Sequence, residues 1–217
     1  MLARRRIALT LAIVGVLMTM AGAATSDGGL GLLPLGSQAP DFQLPDVVSG
    51  QIVSRGDFAG RKARLVIFLC RHCPYVQHVK DGVAQLARDY AGQEVGVVAI
   101  SANDPAAYPE DAPDRLKAMA IESGFTFPLC FDESQAVAKA YTALCTPDFF
   151  LFDTQGKLVY RGQFDDSRPG SRTPVTGHDV RAAIDAVLAG RPVPVEQKPS
   201  IGCSIKWKPD REPPYAR

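Results

Sequence analysis

Apolar residues run without a break from Leu65 to Leu69, and after Pro74 the rhythm changes, with Val76, Val79, Val83, Leu86, Ala87 and Tyr90 recurring at helical spacing. An unbroken run of this length suits a strand buried on both faces, whereas the second pattern lines one side of a helix. Pro74 fits the first turn of that helix, whose amides lack intrahelical acceptors in any case. Val95 to Ile100 repeats the buried-strand pattern, so Leu65 to Ile100 reads as a β-α-β unit with a right-handed crossover.

Downstream, Asp111 and Pro113 open a helix carrying Leu116, Met119 and Ala120, which Gly124 closes; Phe125 to Phe131 reads as extended and Glu133 to Tyr141 as a short helix. This segment has the character of an insertion. Phe149 to Phe152, a turn at Asp153 to Gly156 and Leu158 to Tyr160 predict an antiparallel hairpin, and His178 to Ala189 a helix with Val180, Ala183, Ile184, Val187 and Leu188 inward and Gly190 as its cap. Upstream, Pro40, Pro45, Gly50 and Gly60 punctuate a short hairpin. The expected architecture is α/β, with a mixed central sheet flanked by helices.

The two ends of the chain differ from its middle. Arg4, Arg5 and Arg6 precede an apolar run from Ile7 to Met20 and then Ala21-Gly22-Ala23, the pattern of a secretory signal over residues 1–23, with a retained single-span anchor as the alternative. Residues 24–38 are small and Gly-rich, a flexible leader, and place the domain at 39–190. The Pro-rich tail, 191–217, lacks periodicity but carries Ile201 to Trp207, which points to a tail packed on the domain.

At 217 residues and 46% hydrophobic content the chain is long enough for one domain with a sizeable core. Loss of the signal removes three of the 24 basic residues and none of the 23 acidic ones, leaving about −2, so no basic surplus remains to hold a nucleic acid. Five cysteines in an exported chain cannot all pair internally. Thiol chemistry in a periplasmic or secreted protein becomes the leading expectation.

Cys70 and Cys73 stand two residues apart, after the first buried strand and at the start of the first helix. A thiol reacts as thiolate, and a helix N-terminus favours that charge. Arg71 and His72 add positive charge, so Cys70 is expected to have a lowered pKa and to attack, with Cys73 one turn on to resolve the mixed disulfide. A static disulfide, or a metal clip drawing on Cys70, Cys73, His72 or His78, is the competing explanation; a single CxxC does not close a tetrahedral site.

In these residues the sequence resembles the thioredoxin superfamily, and within it the AhpC/TSA-like redoxins near the peroxiredoxins and the cytochrome-maturation thioredoxins. "APDFQLPD" is similar to the family's opening hairpin, "LVIFLCRHCPYV" to its first core strand and active site, and "CTPDFFLFDTQGKLVYRG" to its later hairpin; "HCPYV", "CTPDFFLFD" and "GCSIKWK" resemble a peroxiredoxin-like subgroup. The resemblance implies a thioredoxin-like fold, a cis-proline at Pro147 after Thr146 facing the dithiol, and a peptide groove shaped by Pro147. It also implies that His72 stabilises the thiolate of Cys70, as in strongly oxidising disulfide donors of the bacterial periplasm. Two positions depart from the pattern. Leu69 stands where thioredoxins carry Trp, and the peroxiredoxin motif would need Pro and Thr where this chain has Val66 and Cys70.

The function expected is an exported thiol-disulfide oxidoreductase with no dissociable cofactor and no resident metal. Its substrates would be protein thiols or disulfides, with a membrane reductase or oxidase as a further partner and the membrane touched only through the signal or anchor. A thiol peroxidase using the same sulfurs, with Cys73 peroxidatic and Cys70 resolving, is the first rival; a copper metallochaperone is the second. Cys145 and Cys203 form a candidate second redox pair or relay, against two unrelated core residues, and Cys130 reads as a buried spacer. Asp148 is expected to cap the hairpin start, Arg161 and Asp165 to Arg168 to be solvated charge, and Tyr75, Val76 and Trp207 to pack beside or over the dithiol.

Overall fold

A computed structural model describes residues 31–216; the expected signal, and the leader before residue 31, lie outside them. In chain order the elements are β1 (Gln43–Pro45), β2 (Ile52–Ser54), β3 (Ala63–Phe68), α1 (Pro74–Asp89), β4 (Val95–Ser101), α2 (Pro113–Glu122), β5 (Leu129–Phe131), α3 (Ala136–Ala140), β6 (Cys145–Thr146), β7 (Asp148–Phe152), β8 (Leu158–Gly162), α4 (His178–Leu188) and β9 (Cys203–Ser204). Five strands form the central sheet in the order β5-β4-β3-β7-β8, with β3, β4 and β5 parallel and β7 and β8 antiparallel to their neighbours. Among the described residues no helix is long and apolar enough to cross a membrane.

The unbroken apolar run of β3 is explained by the two cores it separates. Leu65 and Ile67 face a cluster with Val76, Val79, Val83 and Leu86 of α1, Leu116 and Met119 of α2, and Val180 and Ile184 of α4. Val66 and Phe68 face the other side, against Phe42, Leu44, Val137, Tyr141, Phe150 and Phe152. Alternating side chains therefore fill two interiors, and no position from Leu65 to Phe68 is polar. The segment expected as an insertion supplies the edge strand β5, paired in parallel with β4, with α2 as its crossover.

Three expectations need correction. The domain does not begin at Ala39. The amides of Gly36 and Ala39 donate to Leu158 O and Gly156 O, Leu158 N donates to Ser37 O, and Leu33 N donates to Thr142 Oγ1, so the described end of the leader is pinned by its backbone to the β7–β8 hairpin and to the turn after α3.

Asp148 does more than cap the hairpin start, and Arg161 is not solvated. Asp148 is buried and accepts from Arg161 Nη2 (3.3 Å), Ser200 Oγ (2.7 Å) and Leu144 N (3.3 Å), while Arg161 also donates to Thr142 O and lies over the Phe150 ring. Burial pushes the Asp148 carboxyl up against the pull of Arg161. Asp165, in the run expected to be solvated, is buried and receives the amides of Ser167, Thr176 and Gly177 ahead of α4. Both acids became interior because segments remote in sequence fold over them: the tail over Asp148, the α4 approach over Asp165.

The third concerns Trp207. The tail does lie along the domain: β9 pairs antiparallel with β6, Ile205 is buried, and Asp104 N and Gln135 Nε2 donate to Lys206 O. Trp207 itself packs with the core on the side of the sheet opposite α1, under Lys139, and not over the dithiol.

Candidate active site

The cysteine pair sits where sheet register puts it. Phe68, the last residue of β3, pairs with Asp148, the first of β7, and extending that antiparallel register sets Cys70 opposite Thr146. Cys70 Sγ lies 3.2 Å from Thr146 Oγ1 and Cys73 Sγ 3.0 Å from Thr146 O, and the Thr146–Pro147 bond is cis. Sequence separation of more than seventy residues is thereby closed to direct contact. Both cysteines are reduced and fully buried, each 0% exposed.

The helix field falls on the second sulfur. α1 begins at Pro74, and Cys73 is its N-cap in extended conformation. As thiolate, Cys73 accepts from the Cys70 thiol, from Val76 N–H and from the thiol and amide of Cys203; the Cys70 donor is the strongest of these, and together they hold Cys73 well below an ordinary thiol against the opposing effect of burial. Thr146 O accepts a hydrogen bond from the neutral Cys73 thiol and disfavours its charge, one acceptor against several donors.

Cys70 is displaced the other way. Its hydrogen bond to Cys73, its burial and the carboxylate of Asp111 all keep the proton on it, and the Thr146 hydroxyl only partly compensates. The sequence reading had expected the lowering on Cys70. The CxxC spacing put both sulfurs near a helix start, but the helix begins one residue after the second.

His72 is tied to a residue that sequence reasoning treated only as a helix opener. His72 Nδ1 is 2.5 Å from Asp111 Oδ2 and 3.7 Å from Cys70 Sγ. Asp111, fully buried, also receives Arg71 N (2.7 Å), His72 N (2.9 Å) and Asn103 Nδ2 (2.8 Å), and Asn103 Oδ1 in turn accepts Lys206 N from the tail. Arg71 is ion-paired with Glu110, and the His72 ring stacks on Tyr108 at 4.9 Å. The loop after β4 therefore clamps the backbone of the CxxC turn. The only sequence signal for it was a cluster of Asn, Asp and Pro after a buried strand.

Sulfur, nitrogen and oxygen of Cys70, His72 and Asp111 lie within 4.8 Å of one another. An ion there would have to displace the His72–Asp111 hydrogen bond, and Asp111 already accepts four donors. Cys145 and Cys203 are not brought together. Register places Cys203 opposite Thr146 and Ser204 opposite Cys145, so the two side chains project to opposite faces of the ribbon. Cys130 is a buried member of β5, where burial and Asp46 push its thiol up to about 12.

A cysteine pair opening a helix, set against a cis X-Pro bond at the edge of a mixed sheet, defines the class of thioredoxin-fold oxidoreductases. Residues 35–161 match the AhpC/TSA family, and the chain belongs to it. Alkyl hydroperoxide reductase E of Mycobacterium tuberculosis is 28% identical over 166 residues, covering 73% of this chain and 98% of that one. Thiol-disulfide oxidoreductase ResA of Halalkalibacterium halodurans is 27% identical over 124 residues, covering 57% and 65%. Among solved structures, an uncharacterized conserved protein from Geobacillus kaustophilus superposes with a TM-score of 0.80 at 54% identity, covering 82% of this chain and 95% of that one. The thioredoxin domain of a thiol-disulfide oxidoreductase from Bacteroides vulgatus shares the fold, with a TM-score of 0.53 at 21% identity, covering 69% and 96%.

Proposed function

We propose that this chain is an exported thiol-disulfide oxidoreductase whose Cys70–Cys73 pair cycles between dithiol and disulfide on protein thiols or disulfides. The observation that carries the reading is the placement of both sulfurs at the start of α1 against Thr146, whose bond to Pro147 is cis. In the reductive direction Cys73 attacks a substrate sulfur and displaces the substrate thiolate. Cys70 then gives up its proton and attacks Cys73 Sγ, closing the disulfide and releasing the second substrate thiolate. This exchanges the roles expected from sequence. His72 and Asp111 act as positioning residues for the turn, and Thr146 and Pro147 as the wall against which both sulfurs rest.

Export rests on the Arg4–Arg6 start, the apolar run to Met20 and the small residues to Ala23. It places the protein's partners outside the cytoplasm, where a membrane reductase or oxidase would reset the pair.

A thiolate held on Cys73 stabilises the reduced form and so raises the reduction potential. Equilibration with a glutathione series, with Cys130, Cys145 and Cys203 changed to Ser, should give a value nearer the ≈ −120 mV of strong oxidants than the ≈ −270 mV of thioredoxin. Absence of any Cys70–Cys73 disulfide would overturn the reading.

A second reading is favoured by the same thiolate and by the likeness to a hydroperoxide reductase. Cys73 would attack a hydroperoxide O–O bond, Cys70 would protonate the leaving alkoxide, and the Cys70 thiolate would then attack the Cys73 sulfenic acid, expelling hydroxide, which takes a proton from solvent, and leaving the same disulfide. Consumption of the reduced thiols by cumene hydroperoxide faster than by a disulfide substrate would make this the principal activity.

A further inference from the structure

The redox pair is buried, yet one more sulfur packs against the core that holds it. β9 runs antiparallel to β6 with Cys203 opposite Thr146, the residue whose carbonyl contacts Cys73 and whose hydroxyl contacts Cys70. The approach is close because residue 202 is glycine: a Cβ there would lie 2.0 Å from Thr146 O. Cys203 is packed against the core that contains Cys70 and Cys73, where it also favours the thiolate of Cys73. Of the three sulfurs it alone is partly open to solvent.

We propose that Cys203 is a third redox sulfur, which exchanges disulfides with Cys73 and so connects the buried pair to external thiols. This rests on the reading of Cys70–Cys73 as a redox pair. In the step, Cys203 loses its proton and attacks Cys73 Sγ; the Cys70–Cys73 bond breaks, the Cys73–Cys203 bond forms, and Cys70 leaves as thiolate and takes up the proton. Two electrons are neither gained nor lost by the protein. An external thiolate then attacks Cys203, the exposed sulfur, and expels Cys73 as thiolate. The tail thus carries a second, more exposed outlet for the disulfide formed in the buried pair.

The test uses the full chain oxidised with glutathione disulfide and mapped without reduction after trypsin, which cuts at Arg71 and so separates Cys70 from Cys73. Partly oxidised native protein should yield both the Cys70–Cys73 and the Cys73–Cys203 linkages, and C70S oxidised with diamide should yield Cys73–Cys203 alone. Oxidised C203S should be reduced by glutathione about tenfold more slowly than the native chain, a barrier change of about 1.4 kcal/mol. If C70S gives only mixed disulfides on Cys73 with Cys203 left as thiol, the relay is overturned while the redox pair stands. If C203S forms no Cys70–Cys73 disulfide, the underlying reading has failed instead.

Discussion

Charge in the dithiol is decided by which sulfur has more donors. Cys73 has the Cys70 thiol, the Val76 amide and Cys203, whereas Cys70 faces the Asp111 carboxylate. Replacing Cys70 by Ala removes the strongest donor and should move Cys73 titration up toward the ≈ 8.5 of a free thiol, while Cys70→Ser, whose hydroxyl still donates, should recover part of the shift; thiolate absorbance against pH reads both. The sign carries over to stability. Cys73 is lower folded than unfolded, so its contribution to the reduced fold is complete above about pH 8.5 and is lost as pH falls toward about 4. The melting-temperature advantage of the reduced native chain over C73S should shrink across that window, and a constant difference would refute the charge assignment. None of this was readable from C-R-H-C alone. The motif drew attention to the two sulfurs, but Asp111 lies about forty residues away and looked like a helix opener.

At the level of elements, long periodic segments were legible and short irregular ones were not. The run at Leu65 to Leu69 and the helical spacing after Pro74 gave β3 and α1 because burial on two faces or one leaves a pattern in the sequence. β6 and β9 have two residues each, too few for any period, and their pairing depends on a glycine whose function appears only across a gap of more than fifty residues. Gly202→Ala should force the tail off Thr146 and cost about 1–3 kcal/mol, seen as a lower melting temperature and faster hydrogen exchange at residues 203–206. The Arg161–Asp148 pair is a comparable case, since strand alternation at β7 and β8 could not reveal the tail that buries it. Arg161→Met leaves a buried carboxyl without its cation and should destabilise the protein by about 3–5 kcal/mol in urea unfolding, with β7–β8 and the tail loosening together.

For the whole molecule, two cores on either side of one sheet divide the labour. The α1, α2 and α4 side holds the sulfurs and the helix that stabilises their charge; the α3 side anchors the opening hairpin, Ile205 and Trp207, and so fixes the tail that reaches back across the sheet edge. The fold class and the location of the dithiol followed from the pattern because a buried strand feeding a helix is local. The third sulfur's partner did not, because it depends on where a tail without periodicity is pinned.

The register of Phe68 with Asp148 has one more consequence. The distance between the cysteine turn and Thr146 is written in the sheet ladder and not in either loop. Families of such proteins can therefore exchange residues within the turn, retuning potential and partner choice, while the two halves of the site stay aligned. An insertion of one residue inside β3 or β7 is different in kind: it turns two interiors inside out and slides the halves apart in a single step. Chemical variability and architectural rigidity are thus held by separate parts of the chain.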